Sequence, residues 1–123
     1  MTILVAAVVV IAVVHNLALA FHLYFFYGWL DIPMHILGGL ITVLTLFVLK
    51  ELSNVFPERY LQFLPIILIV FVVGLGWEAF EIWAGIPLLE PDFEQDMVSD
   101  LSMDMVGGYV GWLTARSLKK RSV

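Results

Sequence analysis

Cysteine is absent from the 123-residue chain. That excludes a disulfide framework, a thiolate metal site and a cysteine nucleophile. Charge is scarce: Asp, Glu, Lys and Arg make up 14% of residues, against roughly 25% in soluble domains. Only six residues are Lys or Arg, and the net charge of −5 offers no general attraction to DNA, RNA or anionic lipid. A nucleic-acid partner is therefore not expected. No Gly-rich phosphate loop, GxSxG, CxxC or HExxH motif occurs, and no alternation suggests a β-barrel. What the chain has in excess is apolar residues, at 62%. A single small domain cannot hide that much from water. The composition excludes an ordinary soluble enzyme and a disordered chain.

The apolar residues fall into four runs, at about residues 3–27, 32–49, 60–83 and 97–117. Each approaches the ~20 residues that a transmembrane helix needs. The fold expected is all-α, a four-helix transmembrane bundle forming one domain over residues 1–123. Ala18-Leu19-Ala20 imitates a signal-peptide cleavage site, but no Lys or Arg precedes the first run, so an uncleaved span is expected. With four spans, Lys50, Arg59, Arg116, Lys119, Lys120 and Arg121 all fall on one side. The positive-inside rule makes that side cytoplasmic, together with both termini.

Most of the acids lie at the other end. Asp31 and His35 open the second run, Glu78 and Glu81 close the third, and Asp96, Asp100 and Asp104 open the fourth. Spacings of three and four put each group on one helix face. His15, Leu19 and His22 make a comparable stripe on the first run. No Lys or Arg lies at that level to pair with the acids. Carboxylates packed together cannot all stay ionised, so protons or a bound cation must relieve them. His35, Glu78, Glu81, Asp100 and Asp104 are the candidate metal ligands, with Asp31, His22 and Asp96 as possible additions. Mixed imidazole and carboxylate donors suit Mn, Fe or Zn, and carboxylates alone suit Ca or Mg.

Simpler roles compete at each position. Asp31 can act as a helix cap, Asp96 as a solvated loop acid, and His15 and Asn16 as interhelical hydrogen-bonding groups. Glu90, Asp92 and Glu94 read as solvated link residues. Gly38-Gly39, Gly74, Gly76 and the spacing from Gly107 to Gly111 suit close helix packing, and Tyr24, Tyr27, Trp29, Trp77 and Trp83 an aromatic belt.

The pattern Asp31-x-x-x-His35-x-x-Gly38-Gly39, Trp77-Glu78-x-x-Glu81 and Asp96-x-x-x-Asp100-x-x-x-Asp104-x-x-Gly107 resembles the small VanZ-like and YjdF-like integral membrane protein families. The resemblance covers roughly residues 31–111. It departs at Glu81 and Asp104, where the family pattern has Gln and often Asn, so this chain is the more acidic. The resemblance implies an inner-membrane protein without an assigned reaction. The acidic cluster itself points to three functions: a metal-dependent hydrolase of a lipid-linked or envelope substrate, an oligomeric cation-binding or proton-coupled transport protein, and a structural bundle with protonated acids. The lipid bilayer is a partner in each, and a homo-oligomer is required by the second.

Overall fold

The computed structural model describes residues 1–53, 57–85 and 92–121. Those residues are helical, and no strand occurs among them. The helices are α1 (Thr2–Ala20), α2 (Leu23–Phe26), α3 (Asp31–Ser53), α4 (Phe63–Ala84) and α5 (Phe93–Arg121). Short 3-10 turns at Gly28–Leu30 and Glu58–Leu61 precede α3 and α4. Pro87, Glu90 and Pro91 of the expected acidic link lie outside the described residues.

Among the described residues, three helical stretches are long and apolar enough to cross a membrane: Thr2–Ala20, Gly28–Ser53 and Phe63–Ala84. α1 is rich in Val and Ile, which are weak helix formers in water. In lipid the balance shifts, because each backbone N–H and C=O must find a partner within its own segment. α5 is not among the three. It is long enough, but Asp96, Asp100, Asp104 and several small polar residues lower its hydropathy.

The first helix stops earlier than its apolar run. Residues 3–27 form not one span but α1, a break at Phe21–His22, and α2. His22 takes a left-handed conformation (φ 54°) that ends the regular backbone pattern. Composition carries no trace of this break. Pro65 is the third residue of α4, where its missing N–H has no intrahelical acceptor to lose. Gly85, at φ 80°, closes α4 with a left-handed cap.

α5 packs chiefly along α3 and secondly along α4, while α1 leans on α3. Glycine sets the separation of α3 and α5. A Cβ at Gly39 would collide with the Asp104 carbonyl and lie 2.8 Å from Gly108 N; one at Gly107 would collide with the Ile36 carbonyl. The pairs advance together along both chains, so α3 and α5 run parallel. α4 runs against α5: Val70 meets Gly108, and Gly74 meets the Asp104 carboxylate. An apolar core of Val43, Leu46, Leu61, Ile66 and Val70 fills one half of the interior. The acids occupy the other half.

Candidate metal centre

α3 carries Asp31 and His35 one turn apart, and α5 carries Asp100 and Asp104 one turn apart. Because these helices run parallel at glycine-limited distance, the two pairs face each other. His35 Nε2 lies 3.6 Å from Asp31 Oδ2 and 3.5 Å from Asp100 Oδ2. Its other nitrogen, Nδ1, lies 3.4 Å from Asp104 Oδ1. His35, Asp100 and Asp104 are buried, whereas the Asp31 side chain is 34% exposed. One donor atom from each of Asp31, His35 and Asp100 falls within 4.8 Å of the others, so this group could hold a metal ion.

Glu78 approaches from α4. Ile66, Val70, Gly74 and Glu78 are the buried residues of that helix and recur every four positions, which makes one face. Val70 pairs with Gly108 and Gly74 with Asp104 on α5. One more turn along this antiparallel register brings Glu78 level with Asp100. His35 and Asp104 both lie within electrostatic reach of Glu78. Glu78 is 2% exposed, and neither of its carboxylate oxygens has a hydrogen-bond partner among the described residues. Buried polar atoms are nearly always partnered, so two orphaned oxygens on one side chain mark a place where chemistry is incomplete.

Gly74 makes room for Asp104. A Cβ at Gly74 would sit 2.7 Å from Oδ2, whereas one at Gly38 would lie at an ordinary contact distance of 3.5 Å from Oδ1. The carboxylate is thus held between α3 and α4, with the absence of a side chain at Gly74 leaving its space.

The remaining candidates lie outside the Asp31–His35–Asp100 group, although Glu81 and Asp96 are within electrostatic reach of Asp31. Glu81 is half-buried and accepts a 2.9 Å hydrogen bond from Trp77 Nε1, so its spacing from Glu78 does not give it the same surroundings. Asp96 is exposed in the first turn of α5. His22 is exposed at the break between α1 and α2, outside the group, and its expected place on the His15 stripe is lost with the helix. His15 Nδ1 instead makes a 2.9 Å hydrogen bond with the Tyr24 hydroxyl. Tyr24 was expected only in an aromatic belt, and its sequence neighbourhood gives no signal of this contact. Asn16 donates back to Ala12 O, a local bond rather than an interhelical one.

The chain returns no match to protein-family models, curated proteins or solved structures.

Proposed function

We propose that the chain is a four-span inner-membrane protein that binds a divalent cation at the end where its acids converge. In this reading α5 is the fourth span, since Asp100 and Asp104 turn inward onto α3 and α4 while Val106, Tyr109, Val110 and Leu113 face out. The six basic residues then lie on the cytoplasmic side with both termini. The VanZ-like and YjdF-like resemblance belongs to the same proposal.

The observation that carries the reading is Glu78, with two unpartnered buried oxygens level with the Asp31–His35–Asp100 group. A divalent cation there would take ligands from Asp31, His35 Nε2, Asp100 and Glu78. Asp104 would accept a hydrogen bond from His35 Nδ1 and so fix the ring's tautomer, the part that a carboxylate outside the coordination sphere plays in many metal sites. The structural alternative, protonated acids around His35, leaves the Glu78 oxygens unexplained.

Elemental analysis of protein purified without chelator, followed by thermal unfolding with added Mn, Zn, Mg or Ca, tests the reading. At one hundred times Kd a bound ion stabilises by about 2.7 kcal/mol. Bound metal or metal-dependent stabilisation is expected for wild type and Asp92→Asn, and should be lost in Glu78→Gln. Neither effect in wild type would return the site to protonated carboxylates.

The partial exposure of Asp31 favours hydrolysis as a second reading, because it leaves one side of the site open to a substrate. A cation there could polarise a phosphoryl oxygen and activate water. The substrate class would be lipid-linked or envelope phosphoesters, reached from the outer leaflet. Metal-dependent turnover of a lipid-linked pyrophosphate would separate this from cation binding or transport.

A further inference from the structure

At the end of the molecule opposite the acids, the C-terminal half of α3, the Glu58–Leu61 turn and the last turns of α5 border an open surface cleft of about 610 Å³. Arg59, Arg116 and Lys119 line it, with Glu58 as its acid and Phe47 and Leu61 as apolar wall. Lys119 Nζ is 3.0 Å from Glu58 Oε1, so one cation is compensated. Arg59 and Arg116 have no acidic partner among the described residues.

Both guanidinium groups are held in place. Arg116 stacks over the Trp112 ring at 4.8 Å, and Trp112 Nε1 donates to Leu61 O at 3.2 Å, tying α5 to the turn. Arg59 sits 5.0 Å over the Tyr60 ring and donates to its hydroxyl at 3.3 Å. Fixed guanidinium groups suit phosphodiesters, which they bind through paired N–H···O bonds. The level fits as well. The cleft opens where exposed polar residues 57–60 give way to the apolar α4, which is the headgroup depth of a spanning protein.

We propose that this cleft binds the phosphodiester headgroup of an anionic membrane phospholipid, with Arg59 and Arg116 on the phosphate and Phe47 and Leu61 against the first part of the acyl chains. The inference rests on the membrane-spanning reading and is independent of the metal centre. Basic pockets between spans at the cytoplasmic face are a recurrent way of holding acidic lipids. Glu58 is the counterweight: its carboxylate occupies Lys119 and opposes an incoming phosphate.

The test uses the full chain purified in neutral detergent. Dioleoyl phosphatidylglycerol, dioleoyl phosphatidylcholine and inorganic phosphate are each added, with thermal unfolding and native mass spectrometry as readouts. Phosphatidylglycerol should be retained and should raise Tm, while phosphatidylcholine with the same chains should do neither. Arg59→Gln and Arg116→Gln should each lower retention about fivefold. Glu58→Gln should raise it, an effect that damaged folding cannot imitate. Arg59 is exposed in a turn, so its variant decides the matter if Arg116→Gln fails to fold. Equal retention of the two lipids, or retention unchanged in Arg59→Gln and Glu58→Gln, overturns the proposal. A full Tm shift with inorganic phosphate alone overturns the lipid assignment in favour of a free anion.

Discussion

An imidazole that gives one nitrogen to a cation must keep its proton on the other. At His35, Nε2 faces Asp31 and Asp100, and Nδ1 faces Asp104. The three acids therefore have different tasks in the proposed centre, although sequence spacing makes them equivalent. Asp100→Asn removes a charged ligand and should weaken cation binding more than 100-fold. Asp104→Asn removes only the group that orients the ring, and a loss of roughly 10–100-fold is expected. Titration of the metal-dependent Tm shift checks both, and a larger loss in Asp104→Asn would reverse the assignment. Metal-dependent stabilisation should also shrink as pH falls, because the carboxylates must be ionised and His35 neutral to bind. Asp31 shows what residue-level reading misses. A helix-opening Asp has an obvious capping role; its i, i+4 spacing puts it beside His35 on α3, and the parallel approach of α5 then adds Asp100 to the same nitrogen. Glu81 shows a contact that spacing does not foretell: Trp77 donates to it while it stays within electrostatic reach of Asp31 and His35.

Between elements, the glycines decide where the acids can meet. Gly39 and Gly107 let α3 and α5 touch backbone to backbone, and Gly74 leaves space for the Asp104 carboxylate. Gly39→Ala should cost about 3 kcal/mol or more, since a methyl group against a carbonyl cannot be relieved by a rotamer change. Gly28→Ala, with open space around it, is the control. Retention of native unfolding behaviour in Gly39→Ala would show that α3 and α5 do not approach this closely. Long apolar runs and recurring small residues made the helices and their close packing legible in the sequence. The partner of each glycine face was not, because a spacing motif does not say which helix fills it. Nor was the left-handed break at His22, which sits in a run as apolar as its surroundings. At the opposite end, the Lys119 ammonium hydrogen-bonds to Glu58 and holds its carboxyl below the usual range near 4.5. A depressed carboxyl stabilises the fold above its unfolded pKa and loses that contribution as pH falls through the lower folded value. Lys119→Met should therefore alter unfolding most above about pH 4.5 and progressively less as pH falls below it, by a small, salt-sensitive amount, as exposed ion pairs do.

Over the whole molecule, charge is sorted more strictly than any one helix requires. The buried acids gather at the end of α3, α4 and α5 that holds His35, and the described basic residues lie at the other. This gives the described residues two chemically opposite ends, one gathering acids around His35 and the other gathering Lys and Arg. In the proposed four-span reading the sorting also sets the orientation, because basic residues near span ends are retained on the cytoplasmic side. The argument is sensitive to the number of spans. If α5 did not cross, its C-terminal Arg116 and Lys119 would be separated by the membrane from Lys50 and Arg59. Yet Lys119 reaches Glu58 beside Arg59, so the end of α5 and the turn before α4 share one side. Four crossings satisfy that contact and the charge rule together. Single cysteines at Ser53, closing α3, and at Asp92, just before α5, should then react with a membrane-impermeant maleimide from opposite sides in sealed cells and inverted vesicles. Asp92→Cys should be labelled from outside intact cells, and Ser53→Cys only after the cytoplasmic face is exposed. Labelling of both positions from the same side would remove the four-span topology, and with it the placement of the cation site at the outer leaflet.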